Sequence, residues 1–253
     1  MEQDDAADAG LVQGPGRTVH CADAIEWMRA QGRIEGACAV TSLPDVSEVG
    51  LSVTAWRSWF LHGVRAVIDA VPDEGAALFF QSDIKRDGAW IDKGAWVVRA
   101  AEDGGARVLF HKIVCRHPPG MLTKGRPGYT HLVAVSRALR CPDMLSIPDV
   151  ITDAGRLTWV RAMGVRAAAQ AIRFARDQAA ARVIFDPFCG VGTVLAVANA
   201  FGLDAIGVEK SRRRAEQSRV LTVAAAELSA VRGDEPIKPS LINGVENHQR
   251  QLE

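Results

Sequence analysis

Apolar positions along the chain fall into short buried runs that alternate with longer stretches of helical spacing. Arg17 to Cys21 reads as a short strand and Ala22 to Gln31 as a helix, in which Ile25 and Met28 share a face with Trp27 nearby. Gly36 to Thr41 (GACAVT) is an apolar run of strand length. From Val53 to Ala70, Trp56, Phe60, Val64 and Val67 recur at helical spacing, with Pro72 just past the end. Gly75 to Gln81 is the next strand-length run. The segment from Trp90 to Val135 changes character: Trp96-Val97-Val98, Val108-Leu109-Phe110 and His131 to Val135 are separated by turns rich in glycine, proline and charge, which predicts strands joined by hairpin-like loops. Arg161 to Arg176 then reads as a helix, Arg182 to Phe185 as a strand, Gly192 to Phe201 as a helix, Ala205 to Val208 as a strand, and Ser211 to about Leu228 as a helix.

Such alternation predicts an α/β fold with a doubly wound, mostly parallel sheet covered on both faces, carrying one antiparallel hairpin. A chain of 253 residues suits one such core rather than two. The expected division is a domain over 17–230, a flexible acidic N-terminus over 1–16 bearing Glu2, Asp4, Asp5 and Asp8, and a flexible tail over 231–253 where periodicity is lost.

Composition changes this picture little. Acidic and basic residues balance at 30 each, so the molecule as a whole has no bias toward nucleic acid or membrane. Locally, 104–142 holds no carboxylate but contains Arg107, Lys112, Arg116, Lys124, Arg126, Arg137 and Arg140, a basic stretch inside the body of the fold. Its cations could contact phosphates or simply form a solvated hairpin face. The five cysteines, at 21, 38, 115, 141 and 189, never form a CxxC pair and read as reduced thiols in a cytoplasmic compartment, with no metal expected. No apolar run approaches the roughly 18 residues of a membrane span, so no membrane partner is expected.

The chemistry concentrates at Asp186-Pro187-Phe188-Cys189-Gly190-Val191-Gly192-Thr193, where a strand runs through a glycine turn into a helix. A dinucleotide fingerprint would place a third glycine where Leu195 stands. What replaces it is a carboxylate, Asp186, able to hold an ammonium group, and an aromatic, Phe188, in the turn. About twenty residues on, Gly207-Val208-Glu209 ends the next strand in a second carboxylate suited to ribose hydroxyls. A ligand with an ammonium, a ribose and no pyrophosphate, such as S-adenosylmethionine, fits these groups. The bland alternative is a pair of ordinary strand-end carboxylates flanking a tight turn.

The loop DPFCGVGTVL resembles the cofactor motif of class I S-adenosylmethionine-dependent amino-methyltransferases, which modify adenine, cytosine or guanine in nucleic acids. Cys21-Ala22-Asp23-Ala24 resembles that family's adenine-contacting turn, and Thr41-Ser42-Leu43-Pro44-Asp45 resembles the catalytic tetrapeptide with the residue before it. Gln81-Ser82-Asp83 fits the next strand end, Lys112 to Arg137 the late hairpin, and Trp159 to Phe174 the helix before the cofactor loop. The resemblance covers about 17–228, and a glycine loop so near the C-terminus implies the circularly permuted form of the Rossmann-like class I fold. It implies a cofactor, S-adenosylmethionine, held by Asp23, Thr41, Asp186, Phe188, Gly190, Gly192, Thr193 and Glu209, and catalysis by Ser42, Leu43, Pro44 and Asp45.

A base-conjugated amine is a poor nucleophile. The family places a side-chain oxygen and a backbone carbonyl to accept its N–H bonds, followed by Pro and an aromatic on which the base stacks. Ser42-Leu43-Pro44 supplies the first three, but Asp45 stands where the aromatic is expected. Asp45 could accept a proton or bind a donor edge of the substrate. Trp56, Trp59, Trp90 and Tyr129 are candidates to stack in its place, and core packing is the commoner fate of such residues. Ser42 could equally be a cap or turn residue of a Ser-x-Pro-Asp sequence.

The function implied is N-methylation of an exocyclic nucleobase amine. RNA is slightly preferred over DNA, because only about forty residues separate the late hairpin from the cofactor loop, few for a target-recognition region that reads several base pairs. The competing expectations are a binding or partner subunit that has lost catalysis, and a small-molecule or protein methyltransferase; a homodimer stays open.

Overall fold

The computed structural model describes residues 15–140 and 147–232, so most of the expected terminal segments, and Cys141, lie outside the described residues. The elements run β1 (Arg17–His20), α1 (Ala24–Gln31), β2 (Ala37–Thr41), α2 (Val46–Val49), α3 (Val53–Ala70), β3 (Ala77–Gln81), β4 (Ile84–Arg86) and β5 (Ala89–Ile91). Then follow α4 (Lys93–Asp103), β6 (Arg107–Cys115), β7 (Tyr129–Ser136), β8 (Val150–Ile151), α5 (Val165–Gln178), β9 (Val183–Asp186), α6 (Thr193–Ala200), β10 (Asp204–Val208), α7 (Arg212–Val220) and α8 (Ala225–Arg232).

Eight strands form one sheet in the order β1-β10-β9-β2-β3-β7-β6-β8. β7 runs antiparallel to both of its neighbours, and every other pairing is parallel. The central strands are apolar on both faces, as a sheet sandwiched between helices requires. Cys38, Val40, Leu78, Phe80 and Ile184 meet α5, α6 and α8 on one side, whereas Ala37, Ala39, Ala77, Phe79 and Phe185 meet α1, α3 and α4 on the other. Chain connectivity reverses between β9 and β2: β9 leads through α6 to β10 on one side, and β2 leads through α3 to β3 on the other. Connections that diverge in this way open a crevice at the C-terminal ends of the two strands.

Three expectations are corrected. Trp96-Val97-Val98 is not a strand but part of α4. Asp92 caps that helix by accepting the Ala95 N–H at 2.8 Å, and Gly94, Val97, Ala100 and Ala101 form its buried stripe; the aromatic and the two β-branched residues suggested strand where spacing and cap favoured helix. The helix expected from Arg161 starts only at Val165, because Gly164 adopts a φ of 93° that breaks the approach to it. The long helix expected over 211–228 is two helices, α7 and α8, separated at 221–224. A further element, the β4–β5 hairpin, turns at Asp87-Gly88, both with positive φ, as in a two-residue primed turn.

Helix α3 fixes the loop after β2. The fully buried Trp56 donates its indole N–H to the Pro44 carbonyl at 3.1 Å, and the absence of a Cβ at Gly63 makes room for Leu43, whose Cδ2 would lie 2.9 Å from one. Trp56→Phe removes the only side-chain donor described on that carbonyl and part of the core volume, so it should cost about 2 kcal/mol or more in urea unfolding. A change within error would show that the loop is held by other means.

Candidate functional site

The C-terminal ends of β2, β9 and β10 border a cavity of about 480 Å³. The glycine-loop residues Asp186, Phe188, Gly190 and Thr193 line it together with Glu209, as do Asp23 at the start of α1 and Ser42, Leu43 and Pro44 after β2. Residues from three distant parts of the chain thus face one space.

Asp186 lies at the crevice, 3% exposed, and both of its described hydrogen bonds go to Oδ1: Thr41 Oγ1 donates at 2.6 Å and the Phe188 N–H at 3.1 Å. Thr41 itself is fully buried and does not line the cavity, so its place is behind the carboxylate. Burial pushes the Asp186 carboxyl up to about 7; the Thr41 and Phe188 hydrogen bonds oppose this and the nearby Glu209 adds to it. A buried carboxylate with one bare oxygen and a raised pKa is a site that a cationic group would complete.

Glu209, at the end of β10, takes all of its described donors on Oε1: the Ser211 N–H at 2.7 Å and Arg214 Nη2 and Nε at 2.7 and 3.0 Å. Asp23 caps α1 through Oδ1, accepting from Ile25 and Glu26, while its Oδ2 lies 3.4 Å from Lys210 Nζ. The two glycines differ in use. Gly190, with a φ of 55°, faces the cavity beside Trp159, whereas Gly192, with a φ of 90°, packs against α7, where a Cβ would lie 2.7 Å from that of Ser218. Thr193 shares a short hydrogen bond with Thr158.

Ser42 makes no described side-chain hydrogen bond, and the helix after it is capped at Asp45 rather than at Ser42. Asp45 does not join the main cavity. Its backbone N–H donates to Glu48 Oε2 at 3.0 Å, and its side chain turns to the buried Lys93 and to Arg126, the latter at 3.5 Å. Of the aromatics considered for stacking, Trp56 is core, the Trp90 indole donates to Asp83 Oδ2 at 3.1 Å, and Tyr129 packs edge-on against His131. Only Trp59 faces the cavity, edge-on to Phe188 at 5.9 Å.

Six contributors had no part in the sequence reading of the site: Glu48, Lys93, Trp159, Arg161, Lys210 and Arg214. Trp159 precedes α5 and reaches back to Gly190, with Arg214 over its ring at 5.9 Å. A tryptophan just upstream of the helix before the glycine loop was a usable signal; Lys93 offered none. The basic stretch separates into structural and open cations. Lys112 is buried against Asp149 and Arg137 is held by Asp69, whereas Arg116, Lys124 and Arg126 line recesses beside the site.

Among the described residues, one group has metal-like proximity, Asp83, Asp92 and His131, but Asp83 already accepts from His131, the Trp90 indole and the Lys93 N–H. Cys21, Cys38, Cys115 and Cys189 are free thiols. No helix among the described residues is long and apolar enough to cross a membrane.

No family model matches this chain, and no curated protein matches it. Solved structures do. TTHA0409 of Thermus thermophilus, a candidate DNA modification methylase complexed with S-adenosyl-L-methionine, aligns with a TM-score of 0.62 at 20% identity over 80% of this chain and 92% of that one. The PvuII DNA methyltransferase, cytosine-N4-specific, aligns with a TM-score of 0.65 at 12% identity over 87% of this chain and 93% of that one. M1.HpyAVI in complex with SAM gives 0.53 at 12% identity over 80% and 97%. These likenesses establish a class I methyltransferase fold.

The raised pKa of Asp186 has a signed consequence for the free protein. A carboxyl that titrates near 7 when folded and near 3.8 when unfolded adds stability that is complete below about pH 4 and lost as pH rises through 7. Asp186→Asn abolishes that dependence. Thermal unfolding of both proteins at pH 5 and pH 8 should show the variant gaining on wild type at the higher pH, by on the order of a few kcal/mol. Parallel pH profiles would mean that Asp186 is not a strained carboxylate.

Proposed function

We propose that this protein is an S-adenosylmethionine-dependent N-methyltransferase that modifies an exocyclic amine of a nucleobase in nucleic acid. The observation that carries the reading is the meeting, in one cavity, of the Asp186–Thr193 loop with Ser42-Leu43-Pro44. Each group resembles part of the same catalytic apparatus, and they lie some 145 residues apart in sequence. The likeness to methyltransferase structures, two of them holding S-adenosylmethionine, supports it.

The residues present fit that cofactor. Asp186 offers its bare oxygen to an ammonium, Glu209 retains Oε2 for ribose hydroxyls, and Asp23 stands where the adenine-contacting turn is expected. Phe188 and Trp159 supply apolar walls. Of the four carboxylates around the cavity, Asp23, Glu48 and Glu209 are paired with Lys210, Arg161 and Arg214, and Asp186 is left with no described cation, which favours a cationic group beside it. When bound, the cofactor supplies an electrophilic methyl group on a sulfonium.

The chain's own work is to orient the nucleophile. Ser42 Oγ, with no described partner in the protein, and the Leu43 carbonyl accept the two N–H bonds of the amine and turn its lone pair toward the methyl donor. Pro44, clamped through its carbonyl by Trp56, stiffens the loop that aims them. Trp59 or Trp159 takes the stacking role for which Asp45 is unsuited.

For the acceptor we favour DNA. The preference for RNA drawn from the sequence rested on the small space for target recognition, but the PvuII DNA methyltransferase is matched over 93% of its length by this chain, so compactness does not exclude a DNA enzyme. We also read the order of the strands, with the glycine loop following the tetrapeptide strand, as the permuted form of the fold, in a domain that begins at about 17 as expected and extends past 230 to the end of α8.

Ser42→Ala should leave cofactor affinity near wild type by calorimetry and lower methyl transfer to DNA by on the order of 10²-fold. Asp186→Ala should instead abolish cofactor binding. Transfer to total RNA but not genomic DNA would reverse the acceptor, and cofactor binding without transfer to any class would favour the reading of a binding subunit.

A further inference from the structure

Beside Ser42 the main cavity continues into a smaller one of about 80 Å³, bordered by Ser42, Asp45, Ser82, Lys93, Arg116 and Arg126. A recess of about 310 Å³ beneath the β6–β7 loop shares Ser82, Arg116 and Arg126 with it and adds Lys124 and His117 but no acid. The cofactor end is closer to balance, with Asp23, Glu48, Asp186 and Glu209 facing Arg161, Lys210 and Arg214. In the small cavity two carboxylates, Asp45 and Glu48, face four cations, Lys93, Arg116, Arg126 and Arg161.

Those two carboxylates are already engaged. Glu48 is paired with Arg161. Asp45 Oδ1 holds Lys93, which is 3% exposed, and Oδ2 lies 3.5 Å from Arg126. Arg116 has no described ion-pair partner; its one described side-chain contact is the neutral Ser82 hydroxyl at 3.4 Å, which shares a 2.7 Å hydrogen bond with Thr130. Burial and the adjacent Arg126 both lower the pKa of Arg116. Two guanidinium groups therefore converge on a concavity with a buried ammonium at one side, and the single carboxylate among them is shared. Both guanidinium groups are exposed, so their repulsion is screened, and an anion seated between them would relieve what remains of it. The cavity is far below the roughly 300 Å³ at which small-molecule pockets begin, which suits one oxyanion group and not a whole base. Forked guanidinium donors with a hydroxyl beside Arg116 match the oxygens of a phosphate.

The geometry points to a phosphate subsite beside Ser42, built by Arg116, Arg126, Lys93 and Ser82, which seats a phosphate of the nucleotide whose amine is methylated. Its role as part of the acceptor site rests on the methyl-transfer reading; its anion binding does not. Asp45 gains a purpose that its position in the tetrapeptide alone did not suggest: it anchors Lys93 and Arg126 around the anion.

The test uses the full chain. Inorganic phosphate should raise the melting temperature, and a deoxynucleoside 5′-monophosphate should bind more tightly than its deoxynucleoside. Arg116→Gln and Arg126→Gln, both at partly exposed positions that folding tolerates, should each weaken phosphate and nucleotide binding by about 10-fold. Lys124→Gln, on the outer recess only, should change it less than about 2-fold. Single neutral methylphosphonate replacements in an oligonucleotide distinguish the sources: a loss of binding at one position assigns an internal phosphodiester, and no loss at any position, with mononucleotide binding kept, assigns a terminal phosphate. Equal affinity for nucleotide and nucleoside with no effect of phosphate would overturn the subsite, as would an equal loss from Lys124→Gln, which marks diffuse attraction. Phosphate binding that depends on Arg116, without methyl transfer, would overturn the enzyme reading and leave the subsite standing. Transfer that is indifferent to Arg116 and Arg126 would do the reverse.

Discussion

The hydrogen bond from Thr41 to Asp186 joins the two halves of the site. It links the last residue of β2 to the last residue of β9 at the point where the sheet's connectivity reverses. Thr41 leads directly into Ser42-Leu43-Pro44, and Asp186 opens the glycine loop, so a bond of 2.6 Å sets how far apart those two chemistries lie. Its energy depends on burial. In a crevice with little water, a hydroxyl that satisfies one carboxylate oxygen steadies that carboxylate in place, and the other oxygen stays open to the cavity.

Around this bond the charges are paired unevenly. At the ends of β9 and β10 and the start of α1, Lys210 and Arg214 answer Asp23 and Glu209 and leave Asp186 without a described cation, while at the start of α4 and the β6–β7 loop Asp45 answers Lys93 and Arg126 and leaves Arg116 without a described acid. The two unpaired groups suit a cationic ligand at one end and an anionic one at the other, with Ser42 between them.

The departure at Asp45 is best understood with its surroundings. An aromatic at this position would leave Lys93 buried without a carboxylate, at a cost of several kcal/mol for an unpaired charge. Asp45 and Lys93 form a matched pair at the starts of α2 and α4, and Trp59 and Trp159 stand on the walls of the larger cavity. The same packing explains the choice of Trp56, whose ring fills the core under α3 while its N–H fastens the loop above.

Much of this was legible in residue order. The alternation of apolar runs with helical spacing determined a doubly wound sheet, because strands buried on both faces and helices buried on one leave different periods. The glycine loop, Asp186 and Glu209 were readable because a turn followed by a helix, with a carboxylate at each strand end, is a local pattern. Tertiary structure alone decided the rest. Whether Trp96-Val97-Val98 formed strand or helix depended on packing against α3 and on the Asp92 cap, which outweighed local propensity. The partners of Asp45, the place of Lys93 and the division of the basic stretch into structural and open cations depend on contacts between distant parts of the chain. Distances between residues far apart in sequence are set only when the sheet closes, so no local pattern in the chain encodes them.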